Sequence, residues 1–96
     1  MSIETRLEDI LLAERIPSAD DMYRMGIEAS TGVEGGGIDL VAAHKWFNLA
    51  ALHGNEDAVF YRKQLTAEMC SRDVASAQRE AREWLRKHRP IMPSAA

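Results

Sequence analysis

Apolar positions recur along this chain at intervals of three and four residues, and no window shows the period-two alternation of a half-buried strand. Ile3, Leu7, Ile10 and Leu11 follow i, i+4, i+7, i+8 spacing and predict a first helix, which Pro17 stops. Ser18, with Asp21 three residues on, predicts the capping box of a second helix, and Asp20 suits its positive end. The stripe of that helix is Met22, Met25, Gly26 and Ala29. The glycine-rich run from Thr31 to Gly37 cannot extend it, because each helical glycine costs about 1 kcal/mol, and it is expected to be a flexible connector. Asp39 then predicts the cap of a third helix, with Leu40, Ala43, Phe47 and Ala50 buried and Trp46 at the edge. Gly54 and Asn55 form a tight corner: glycine ends one helix in the left-handed conformation and asparagine caps the next, with Glu56 and Asp57 in its first turn. The fourth helix carries Ala58, Tyr61, Leu65 and Met69. Ser71 is expected to cap a fifth, with Val74, Ala77, Ala81 and Leu85 on one face and Trp84 beside them. Pro90 and Pro93 end regular structure. The pattern is all-α, with about five helices.

Part of this pattern repeats. An offset of 36 residues places Met22 on Ala58, Met25 on Tyr61, Gly26 on Arg62 and Ala29 on Leu65. An offset of 34 places Asp39 on Asp73, Leu40 on Val74, Ala43 on Ala77 and Phe47 on Ala81. The difference falls in the glycine-rich connector, where a change of length costs little. A period in the mid-thirties with two helices per unit predicts tandem αα-hairpin repeats, a short helical solenoid.

The residues Met25-Gly26, Gly32, Asp39, Ala42-Ala43, Trp46-Phe47, Ala50-Ala51, Gly54 and Ala58 resemble one full Sel1-like repeat, a unit of the tetratricopeptide-like kind. The family pattern has Leu-Gly, Gly, Asp, Lys-Ala, Trp-Tyr, Ala-Ala and Gly at nearly these spacings. The second unit departs from it: Arg62 stands where the family has glycine and Glu80 where it has tryptophan, as in a degenerate terminal repeat. The resulting division is an N-terminal capping helix over 1–17, a first repeat over 18–54, a degenerate terminal repeat over 55–89 and a flexible tail over 90–96. By resemblance, such a protein is a non-catalytic adaptor that holds a protein or peptide on its concave helical surface. Some secreted relatives have been assigned β-lactam chemistry, but those are laced with disulfides. This chain has one cysteine and departs from them.

Length and charge narrow the reading further. Ninety-six residues make one small domain with a narrow margin of stability. A single Cys70 excludes an internal disulfide framework, and no Cys/His cluster has metal-ligand spacing, so neither a metal nor another cofactor is expected. Acidic residues stand where a signal peptide needs a positive start, and no apolar run is long enough for a membrane span, so the expected setting is cytoplasmic, off the membrane. Through Phe60 there are 4 basic and 11 acidic residues, and after it 8 basic and 4 acidic, so the two parts carry −7 and +4. That split favours contact between the two ends, within one molecule or between copies in a homo-oligomer, over a general affinity for nucleic acid.

No residue set reads as a catalytic site. Gly32–Gly37 lacks the strand before and the Lys-Ser/Thr after that a phosphate loop needs. His44, His53 and His88 have no histidine or cysteine four residues away and read as solvated or half-buried imidazoles, and Cys70 reads as a small buried hydrophobe. The expected binding face is the side of the first helix of each repeat that the core stripe leaves over: Tyr23, Ile27 and Ser30, with Val59, Lys63 and Thr66 as counterparts. There Tyr23, Ile27 and Val59 would give an apolar patch and Lys63 a cation for a ligand carboxylate. The alternative is a nucleic-acid-associated regulator using Arg79, Arg82, Arg86 and Arg89 on the last helix. Against it, Glu83 stands four residues from both Arg79 and Lys87, which predicts a salt-bridged, solvated face.

Overall fold

A computed structural model describes residues 16–33 and 35–88 of the chain. Among them are four helices and no strand: α1 (Ala19–Thr31), α2 (Leu40–Leu52), α3 (Glu56–Glu68) and α4 (Ser71–Lys87). The first helix expected from the sequence, the tail over 90–96 and Arg89 lie outside the described residues.

Of the four expected helix starts among the described residues, three are built as the sequence indicates. Asp21 N–H donates to Ser18 Oγ at 3.1 Å while Ser18 N–H donates to Asp21 Oδ2 at 3.2 Å, the reciprocal pair that satisfies two free amides at once. Asp39 accepts from Ala42 N–H at 3.0 Å and Asn55 from Ala58 N–H at 2.9 Å. The fourth start differs. Cys70, not Ser71, is the cap of α4, it makes no side-chain capping bond, and its thiol is exposed rather than buried.

The α1 helix ends at Gly32, whose φ of 69° puts it in the left-handed region while its N–H donates to Glu28 O at 2.8 Å. Asp39 N–H then donates to Ala29 O at 2.8 Å, so the connector returns the chain directly onto the end of α1.

The α2 helix is the centre of the molecule, with α1, α3 and α4 each packed against it. Its sequence is apolar almost all round, as expected of a helix with neighbours on several sides. That is why Leu49 and His44 are fully buried together with Ala43, Phe47 and Ala50, although neither lies on the single stripe read from the sequence. Ala58 and Leu65 of α3 and Ala77 and Ala81 of α4 are buried as their stripes predict. Met22 and Gly26 of α1 are buried too, whereas Met25 turns outward.

Small residues set the close approaches. A Cβ built on Gly26 would lie 2.6 Å from two ring carbons of Phe47, so only glycine lets the α1 backbone sit on that ring. Arg62 of α3, the residue that the 36-residue offset sets against Gly26, donates from Nη1 to Asn48 Oδ1 of α2 at 2.9 Å. The α3 and α4 helices dock on α2 and make no comparably close pair with each other.

Candidate functional site

The six residues expected to form one binding face are not all brought together. Tyr23 and Ile27 line a surface groove of about 560 Å³ with Asp20, Arg24, Asn55 and Asp57. This groove lies where the N-terminus of α3 meets α1. Asn55, the α3 cap, also donates from Nδ2 to Asp20 Oδ1 at 3.2 Å and ties the two helix starts together. Tyr23 is its rear wall, with ring centroid 5.9 Å from Phe47 and 6.0 Å from Tyr61, while Phe47 and Tyr61 stack at 5.4 Å. Burial, then Tyr61, and least of all the Asp57 carboxylate hold the Tyr23 hydroxyl above its ordinary pKa.

The remaining four residues sit outside this groove. Ser30 is part-buried and donates to Ile27 O at 2.9 Å. Val59 is half-buried and Lys63 exposed farther along α3. Thr66 is committed to α2: its Oγ1 donates to Arg62 O at 2.9 Å, which leaves a lone pair to accept from His44 Nε2–H at 2.9 Å. The groove therefore sets two carboxylates, Asp20 and Asp57, against one guanidinium, Arg24, which also pairs with Asp21 at 3.7 Å, and Lys63, the cation expected from the sequence, is not part of it. Asp20 and Asp57 read locally as helix-start charges, and only the contact between Asp20 and Asn55, 35 residues apart, shows them as one surface.

His44 is the one buried polar side chain among the described residues, at 1% exposure. With Nε2 donating to Thr66, Nδ1 holds an unshared pair that has no partner. Burial, then the Arg62 guanidinium, hold this imidazole below its ordinary pKa, which favours its neutral form.

A second groove, of about 630 Å³, is lined by Ile16, His53, Arg82, Trp84, Leu85, Arg86 and His88. Trp84 is its centre, edge-on to Trp46 at 6.0 Å and stacked on His88 at 4.1 Å. His88 Nδ1–H donates to Trp84 O at 2.8 Å and His53 Nδ1–H to Leu49 O at 2.7 Å, because a carbonyl can only accept. Two members of the expected basic face, Arg82 and Arg86, are here, and Arg79 is exposed outside the lining. Glu83 pairs with Arg86 and not with Arg79 or Lys87. No carboxylate is among the described lining residues, so the two grooves differ in sign.

No described helix is long and apolar enough to cross a membrane, and no group of three or more His, Cys, Asp or Glu side chains among the described residues could hold a metal ion. Compared with family models, with curated proteins and with solved structures, the chain matches none.

Proposed function

We propose that this chain is a non-catalytic protein-binding module, an adaptor of the Sel1-like, tandem-hairpin kind, and that the groove between α1 and α3 receives its partner. The observation that carries the reading is the groove itself: partly buried Tyr23 and Ile27 beside the carboxylates of Asp20 and Asp57, with Arg24 of the same lining paired to Asp21. An apolar anchor next to fixed charge suits a segment that presents an apolar side chain and a lysine or arginine. The aromatic wall behind the groove is held by Phe47 and Tyr61, so little ordering is needed on binding.

A second reading has its own observation. Arg82 and Arg86 beside Trp84, with no carboxylate among the described lining, form a cationic and aromatic surface that would suit a nucleic-acid-associated regulator. Affinity capture on the immobilised full chain, read by mass spectrometry, separates the two. The adaptor reading expects bound proteins that are lost with Asp57→Arg and kept with Arg82→Glu/Arg86→Glu. A nuclease-sensitive set lost only with the arginine variant would replace it.

A further inference from the structure

We propose that a second copy of this chain occupies the acidic groove, its Arg82–Arg86 edge entering between α1 and α3; this rests on the reading of that groove as a protein-binding surface. With Asp20 and Asp57 against Arg24, itself paired with Asp21, the groove's lining is net acidic and suits a cation beside an apolar group. The chain itself carries that combination: Arg82 and Arg86 are exposed, one turn apart on α4, next to half-buried Trp84 and Leu85.

The two surfaces adjoin on the molecule. His53 lines the cationic groove and Asn55, two residues on, the acidic one; Ile16 lines the first and Asp20 the second. A two-fold rotation therefore sets acidic on cationic twice, and both contacts form together in a closed dimer. Apolar surface lies alongside: Ile16 is 48% exposed, and Leu52, which adjoins His53, is 61% exposed. The Glu83 carboxylate on Arg86 is no obstacle, since an exposed pair contributes little and exchanges readily for another carboxylate. The charge split along the sequence, −7 against +4, steers two copies into this orientation.

Sedimentation velocity on the full chain over a concentration series at low salt tests the proposal, with circular dichroism confirming that each variant keeps its helix content. Wild type should form a dimer that weakens as salt is added. Arg82→Glu/Arg86→Glu and Asp57→Arg should each raise the dimer dissociation constant about tenfold or more, as charge reversal at a docking contact does. An equimolar mixture of the two variants should restore the dimer, because each then meets its complement. A wild type that stays monomeric throughout the series, or variants that associate as wild type does, would overturn it. Should wild type be monomeric while the capture of other proteins still depends on Asp57, the self-partner is wrong and the groove reading stands.

Discussion

Gly26 of α1 and Arg62 of α3 are counterparts at the 36-residue offset read from the sequence, and they meet α2 in two different ways. At Gly26 the absent side chain lets the Phe47 ring press against the α1 backbone. At Arg62 a long side chain reaches α2 through Asn48 instead. The first pair of helices thus closes on itself, while α3 and α4 dock separately on α2. At the surface, the start of α3 meets α1 to complete the acidic groove, and the cationic edge of α4 lies in the groove that His53 lines, two residues before Asn55.

The largest effect that tests this contrast is at the ring itself. Phe47 is fully buried among Gly26, Tyr23 and Tyr61, so Phe47→Ala should lower stability by about 3 to 5 kcal/mol in urea denaturation. A loss under about 1 kcal/mol would mean that the α1–α2 contact is not the core of the molecule. Next in size is the cap of α1. Ser18→Ala removes one half of the reciprocal pair with Asp21 and should cost about 0.5 to 2 kcal/mol, read from the same denaturation curves. Asn48→Ala removes the acceptor for Arg62 on the α3 side and should cost about 1 kcal/mol.

The smallest effect at neutral pH concerns His44, whose folded-state pKa lies below the unfolded one because of burial and Arg62. The unfolded chain then takes up a proton at about pH 6.5, before the folded chain does. The His44 contribution is therefore complete above that pH and is lost as pH falls below it. Thermal melts between pH 8 and pH 5 should show wild type losing stability over the acidic part of the range. His44→Gln should show a shallower loss, and identical pH dependence in the two proteins would remove His44 as the cause.

Much of the fold was legible along the chain because helix ends are local. Ser18, Asp39 and Asn55 each cap from within three residues, and the sequence separation of cap and amide is all that the geometry requires. The stripes of α3 and α4 were legible for the same reason, since each packs on α2. The centre of the molecule was less so. A single stripe presumes one neighbour, and α2 has three, which buries Leu49 and His44 as well. Cys70 was misplaced because the α4 start rests on no side-chain cap at all. The candidate site was legible only at Tyr23 and Ile27. Its carboxylates come from two helix starts, and Thr66, equivalent to Ser30 by offset, is taken up by His44, a contact that no spacing reveals.

The contrast between the two crossings reduces to one comparison, urea denaturation of Gly26→Ala beside Arg62→Ala. Alanine normally stabilises a helix relative to glycine by about 1 kcal/mol. Here the new Cβ meets the buried Phe47 ring at 2.6 Å, so Gly26→Ala should instead destabilise by about 1 to 3 kcal/mol. Arg62→Ala loses one hydrogen bond and should cost about 1 kcal/mol or less. A Gly26→Ala protein more stable than wild type would contradict the account, because the close crossing on Phe47 would then not be what holds α1 to α2.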